Sequence, residues 1–403
     1  MPVLHYGKQS SIELEFPNGV VPQECGSPRG EPLGNLDSAI TAALAEPLDY
    51  PSLALCITSS DRIVLALGHD VPKAAQLVAV IVRTLIEAGV APEGIAVLQT
   101  KADATSDAGD PRRLIAASIR ERIARLIHDP ADRRQLAYLA ASEAGEEILI
   151  SRTLHEADVV LPVGCLRAPE TAGYFGIHSD VFPAFSDVKT QQRFRVSGSL
   201  DKQGKLKQEL TAEADHAAWL LGVNFTIQVI PSAGDGVLHI LAGQTDAVRQ
   251  RGRELYQAAW HYPVARQAAL VVAAIEGDVG RQTWENLGQA LQTASQFVED
   301  DGAVVLCCDL SARPGTGMQR LACTSREAAL RQISKDRPAD ALPAMQLARA
   351  VEQHKVYLLS KLDPATVEDL SMVPVAGAEE LNRLVRQFPS HLLLSNAPYV
   401  TVE

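Results

Sequence analysis

From Arg62 onward, short apolar runs alternate with amphipathic stretches. RIVLAL (62–67) has the length of a buried strand, GHDV reads as a turn, and residues 72–88 carry helical spacing that Gly89 is placed to end. IAVLQ (95–99) completes a β-α-β unit, for which a right-handed crossover onto a parallel sheet is expected. Residues 110–142 hold seven arginines among mixed acids and read as helix-rich with a solvated face. Two strands follow, EEILIS (146–151) and DVVLPV (158–163), and then a helix over 213–221 closed by Gly222. FTIQVI (225–230) and VLHILAG (237–243) flank PSAGDG as a hairpin, and 244–260 reads as a helix.

The second half repeats the alternation. AALVVAAI (268–275), a helix over 284–298, AVVLCC (303–308), a loop DLSARPGTG, a helix over 343–353, VYLLS (356–360), a helix near 375–386 and HLLLS (391–395) lead to a YVTVE tail. The first fifty or so residues, rich in Gly and Pro, read as one strand and irregular chain. The pattern predicts an α/β protein of two lobes, each a mostly parallel or mixed sheet flanked by helices. Pro263 and its surroundings mark the best boundary, giving domains 1–262 and 263–403.

Composition narrows the partners. Of 403 residues, 46% are hydrophobic and 21% charged, enough apolar material for large cores. A net charge of −12 argues against nucleic acid or an anionic membrane as partner, since both demand a basic face. A local cationic cluster that holds a small anion remains compatible with it. The start of the chain lacks a basic segment followed by an apolar one, and no apolar run approaches the ~20 residues of a spanning helix, so a cytoplasmic protein is expected. The six cysteines show neither a CxxC nor a paired Cys/His spacing, and no metal site is predicted from them.

Residues 158–187 concentrate the candidate chemistry. A buried run, Val159 to Val163, empties into a loop with Gly164, Pro169, Gly173 and Gly176 that ends near His178, Ser179, Asp180 and Asp187. A strand opening into such a loop is how α/β proteins build ligand crevices. The common enzyme signatures are missing: no strand is followed by GxGxxG, and no P-loop, GxSxG or HExxH motif occurs.

Three segments, taken in order, resemble the lactate racemase family of nickel-pincer nucleotide-dependent 2-hydroxy-acid racemases and epimerases. They are RTLIEAGVAPEGIAVL, AWLLGVNFTIQVIPSAGDGVLHILAGQTDAVRQRG and WENLGQALQTASQFVEDDGAVVLCCDL. The resemblance implies racemisation by reversible hydride transfer to a lysine-anchored nickel cofactor. A histidine pair would exchange the hydroxyl proton, a further histidine would bind nickel, and arginine with lysine would hold carboxylate and phosphate.

Position by position, the family's residues are mostly replaced. Its Asp-x-Thr-Arg-Pro corresponds to Gly68-His69-Asp70-Val71-Pro72, where Val71 stands for the arginine and Asp70 suits a helix cap. Its Gly-Thr-His-Arg corresponds to Gln99-Thr100-Lys101-Ala102. Aligned on Pro183, Ser179 occupies the anchor-lysine place and the catalytic histidine falls near Pro169. A shifted frame instead makes His178 the histidine and Lys189 the lysine, eleven residues apart where the family has ten. The nickel histidine would fall near Thr211, five residues before His216, and the second-lobe Tyr-Gln-x-x-Lys becomes Gly288-Gln289-Ala290-Leu291-Gln292.

The nickel-pincer nucleotide is thus implied by the resemblance, while its anchor lysine and nickel histidine have no counterpart in the proline frame. The expected function is a divergent relative that binds a small anionic, hydroxy-acid-type ligand between the lobes. Candidate catalytic residues are His178, Asp180 and Lys189, and candidate ligand-binding residues are His69, Asp70, Lys101, Gln289 and Gln292. One alternative is a non-catalytic binding or regulatory homologue; another is a true racemase, an isomerase, working through the shifted frame.

Overall fold

The computed structural model describes residues 2–17, 20–105, 109–141, 145, 147–201, 204–263 and 266–402. Near the N-terminus lie β1 (Val3–Tyr6), β2 (Ser10–Glu13) and β3 (Gln23–Cys25). The next strands are β4 (Ile63–Leu67), β5 (Ile95–Thr100), β6 (Ala124–His128), β7 (Leu136–Ala141), β8 (Glu147–Ser151), β9 (Val159–Cys165), β10 (Phe225–Pro231) and β11 (Val237–Gln244). Six of these form one sheet in the order β11-β10-β9-β4-β5-β6, parallel except for the β10–β11 hairpin. The second half supplies β12 (Ala268–Ala274), β13 (Val298–Cys307), β14 (Lys355–Leu359), β15 (Val373–Pro374) and β16 (His391–Leu394). With β3 they make an all-parallel sheet ordered β15-β14-β13-β12-β16-β3.

Both sheets are covered on both faces, which is why β4 and β12 are apolar at every position. In β4, Ile63, Leu65 and Leu67 enter one core while Val64 and Ala66 enter another. In β12, Leu270, Val272 and Ala274 face Leu4, Ile12 and Leu14 of the N-terminal segment, and Val271 and Ala273 face inward. The inward core runs without a break from Leu166 and Ile177 in the first lobe to the second-lobe helices. Trp260, fully buried in it, donates Nε1–H to Pro231 O at 2.9 Å.

Strand order sets the position of the crevice. From β4 the chain proceeds outward through β5 and β6, then returns to place β9 on the other side of β4. From β12 it proceeds through β13, β14 and β15, then returns to place β16 on the other side. Each sheet therefore has a switch point at its middle, where the loops after neighbouring strands diverge and leave room for a ligand.

The two-lobed α/β expectation stands. Across the expected boundary between 1–262 and 263–403, β3 hydrogen-bonds β16 and the β1–β2 hairpin packs on the second sheet. The stretch 110–142 is not helix-rich among its described residues: its longest elements are β6 and β7, and its helical turns are the short Ala117–Arg120 and the 3-10 turn Arg133–Gln135. Arginine favours helix locally, yet pairing of β6 with β5 and tertiary ion pairs such as Arg122–Glu93 decide otherwise. The helix Leu36–Ala45, capped by Asn35, went unread in the Gly/Pro-rich start, and the helix expected at 213–221 begins eight residues earlier, as Lys205–Leu220. Glu146, the first residue of the expected 146–151 strand, lies outside the described residues.

Candidate functional site at the lobe junction

The loops after β4, β9 and β12 meet at one buried ionic group. Asp70, three residues past β4, adopts a left-handed backbone conformation (φ 54°) that an aspartate tolerates better than most residues. Its carboxylate is only 6% exposed and pairs with two guanidiniums: Arg167, which follows β9, at 2.5 Å, and Arg281, which follows β12, at 2.8 Å. Both arginines also lie over the ring of Tyr399, at 5.0 and 5.5 Å. Tyr399 is in turn tied by its backbone oxygen to the Tyr256 hydroxyl at 2.7 Å. Two switch points are thus joined through one carboxylate. Burial alone would raise the Asp70 pKa, but the charges of Arg281 and Arg167 outweigh it and hold the group below the usual carboxylate range.

A second aspartate close by is treated in the opposite way. Asp180 sits against Gly68 and Gly164, where a Cβ on either glycine would overlap its carboxylate. The absence of side chains at these two strand ends is what admits it. Burial pushes the Asp180 pKa up to about 7, against the lowering effects of the Gln228 hydrogen bond, Arg167 and His69. Gln228 Nε2 lies 3.5 Å from Oδ2. One carboxylate held ionised and another held near neutrality is a pattern that acid–base sites share.

His178 belongs to a third group. The side chain is buried, and its Nδ1 lies 2.7 Å from Asp215 Oδ1, while Arg249 holds the same carboxylate through two bonds of 2.8 Å. Asp215 thereby fixes the imidazole ring, and Nε2 is buried with no partner among the described residues. Burial pulls the Asp215 carboxyl toward higher pKa, but His178 and Arg249 win and lower it.

Beside these groups opens a cavity of about 660 Å³. Its walls are the loop after β9, the helices Lys205–Leu220 and Thr245–Trp260, and the C-terminal residues Thr401 and Val402. The tail is held there by hydrogen bonds of Thr401 with Trp260 and Tyr262. Arg167, Lys207, Arg249 and Arg253 line the cavity with only Glu170 and Asp215 as acids. In a chain of net charge −12 this is a local reversal of sign.

The residues named from sequence scatter around this centre. His69 pairs with Asp103 at 2.6 Å; desolvation lowers its pKa, but the Asp103 charge and hydrogen bond raise it, to about 10. The ring is 55% exposed, so solvent screens this pair and it adds little to stability. Asp70 is not the cap of the following helix, whose N-cap is Lys73. Lys101 is on the surface, bound to Asp129 at 2.7 Å. Lys189 is exposed in the first turn of the helix Val188–Phe194 and is not among the cavity's lining residues.

Gln289 and Gln292 meet Gln346 at 3.4 and 2.6 Å, and Gln289 also accepts the Ala172 N–H. They join two second-lobe helices to the loop after β9 and do not line the cavity. Arg167, Arg281, Asp215, Lys207 and Tyr399 escaped the sequence reading. Only Arg167 carried a signal, its place two residues beyond a buried strand.

Fold and site together define a two-lobed α/β protein with a polar crevice at facing strand-end switch points. The lactate racemase N-terminal domain matches residues 6–203, just under half of the chain. No curated protein matches the sequence. Among solved structures, the lactate racemase apoprotein from Thermoanaerobacterium thermosaccharolyticum aligns with a TM-score of 0.78 at 16% identity, covering 100% of this chain and 99% of its own. A structural-genomics target protein from Thermotoga maritima aligns with a TM-score of 0.67 at 13% identity, covering 93% and 99%. At these identities the likeness shows the fold.

Proposed function

We propose that this chain is a divergent lactate-racemase-like protein that binds a small anionic, hydroxy-acid-type molecule in the cavity walled by the loop after β9. The observation that carries this reading is the excess of cations around a cavity of about 660 Å³ in an acidic protein. A carboxylate there would meet Arg253 at the mouth and Lys207 within, and the same loop carries His178 and Asp180 as candidate proton-transfer groups. Charge-assisted hydrogen bonds of this kind are worth about 1.5–3 kcal/mol each. Lactate, glycerate and sugar acids are therefore expected to raise the melting temperature in proportion to the logarithm of their concentration. Arg253→Gln should weaken the response about ten- to a hundredfold in apparent Kd. A flat thermal-shift profile across all of these anions would remove the reading.

The residues at the positions assigned by family resemblance do not fit a lysine-anchored nickel cofactor. Ser179, in the anchor place, spends its hydroxyl locally: it donates to Gly176 O at 2.8 Å and accepts the Phe175 N–H at 2.6 Å. In the shifted frame Lys189 is solvent-facing. Thr211 Oγ1 donates to Lys207 O, and among the described residues no group of three or more His, Cys, Asp or Glu side chains is arranged to hold a metal. Protein produced alongside the cofactor-synthesis enzymes is expected to keep the mass of the unmodified chain and to carry no stoichiometric nickel. A mass increase with bound nickel would instead favour a working racemase.

A further inference from the structure

Lys207, besides lining the cavity, belongs to none of the three ionic groups above, and it is the one lysine buried among the described residues. It lies on the inner face of the helix Lys205–Leu220, only 5% exposed, and lines the cavity. Its Nζ donates to Thr171 O at 3.1 Å and stands 4.8 Å from the Phe175 ring centroid. Thr171 Oγ1, on the residue that accepts this bond, is buried without a partner among the described residues. Among the described residues no carboxylate forms an ion pair with Lys207, although Glu170 lines the same cavity. Burial therefore dominates and pulls the amine down to about 8, with Glu170 opposing. Lysines are rarely this buried without a carboxylate at contact distance. A lysine desolvated in this way holds an appreciable neutral fraction near physiological pH, which is what amine nucleophiles require.

We infer that Lys207 is a nucleophile that captures a small 2-oxo acid as a protonated imine, with the acid's carboxylate directed to Arg253. The inference rests on the anion-binding reading of the same cavity and names the oxidation state of its ligand. The neutral Nζ lone pair attacks the carbonyl carbon and the C=O π pair moves to oxygen. Transfer of a proton from nitrogen to that oxygen gives the neutral carbinolamine. Loss of hydroxide, which leaves as water with one further proton, then forms the C=N bond. The net change is amine plus oxo acid giving iminium plus water with one proton consumed, and neither an oxidant nor a reductant is needed. The Phe175 ring face beside Nζ is well placed to stabilise the iminium charge, as ring faces do for cations. Glu170, the acid whose charge acts on Lys207, is the candidate in the cavity for the proton transfers.

Borohydride trapping tests the assignment. The full-length protein is incubated with pyruvate, and in parallel with glyoxylate, then reduced with sodium borohydride and examined by intact-mass and peptide mass spectrometry. The expected product is one adduct per chain, heavier by the oxo acid less one oxygen atom, on the peptide that contains Lys207. Labelling should accelerate as pH rises from 6 to 8, and should fall to background in Lys207→Met. Lys207→Arg, which keeps the charge, should also abolish labelling while retaining fold by circular dichroism and melting temperature. No adduct, or adducts spread over surface lysines in proportion to exposure, overturns the inference. If the two acids raise the melting temperature yet leave no adduct, imine capture is wrong and the anion-binding reading stands. If they do neither and the hydroxy acids also give no shift, both fail.

Discussion

Asp70→Asn is expected to lower the unfolding free energy by about 3–5 kcal/mol, because it strands two guanidiniums in the interior without their counter-charge. Arg281 is 4% exposed and Arg167 10%, so neither can recover hydration without moving the lobes apart. One amine of the Arg281 guanidinium, Nη2, is already buried without a partner among the described residues, which leaves little slack in the group. The effect has a pH signature. Asp70 is held below the ordinary carboxylate range, so its contribution is complete above the unfolded value of about 4 and is lost as pH falls through the lower folded value. Urea unfolding from pH 7 to pH 3 should therefore show the variant's deficit intact near neutrality and shrinking below about pH 4. A deficit under about 1 kcal/mol, in the range of exposed pairs, would mean that the arginines find water or other partners.

Asp180→Asn should act with the opposite sign. Here burial raises the carboxyl to about 7, so its contribution to stability is fully present below the unfolded pKa and is lost as pH rises through 7. An asparagine of the same shape carries no charge to desolvate and offers Gln228 an amide oxygen. At pH 8 the variant is expected to exceed the parent in stability, with about 4 kcal/mol as the upper bound set by a shift of roughly three pKa units. Its stability should also be flat between pH 4 and 7, where the parent's declines. Equal slopes for the two proteins in that interval would show that Asp180 ionises freely and that the glycine seat at Gly68 and Gly164 is wet. Set beside Asp70, the result would establish two aspartates at one junction whose proton affinities are driven apart by their surroundings.

The alternation of apolar runs and amphipathic helices was enough to read the two α/β lobes, the β10–β11 hairpin and most second-half strands. Buried parallel strands advertise themselves as continuous apolar runs bounded by Gly and Pro. β6 did not. It sits at a sheet edge, its Ile127 and Ala124 are exposed, and Arg125 with the arginines just before it makes the stretch look helical. β3 is only three residues long and draws its stability from pairing with β16, nearly 370 residues away, for which no local pattern exists. Of the site, the loop after β9 was legible because a strand opened into glycines. The same loop carries Asp180 and His178, whereas Lys189 rests on spacing alone, and spacing does not report which way an exposed helix turns its side chains.

The sequence by itself determined that the protein is α/β, that it lies in the lactate racemase family's pattern of elements, and that polar chemistry gathers after β9. These follow from local periodicity and residue order, which survive without knowledge of the fold. Only the tertiary structure decided which charges meet. Asp70, Arg167 and Arg281 stand up to 211 residues apart in the chain and become one group because two switch points face each other. Likewise, Asp180 is protonatable near neutrality, and Lys207 depressed, because of the water excluded around them. Desolvation and Coulomb interactions depend on neighbours in space, and so neither was written in any local pattern of the chain.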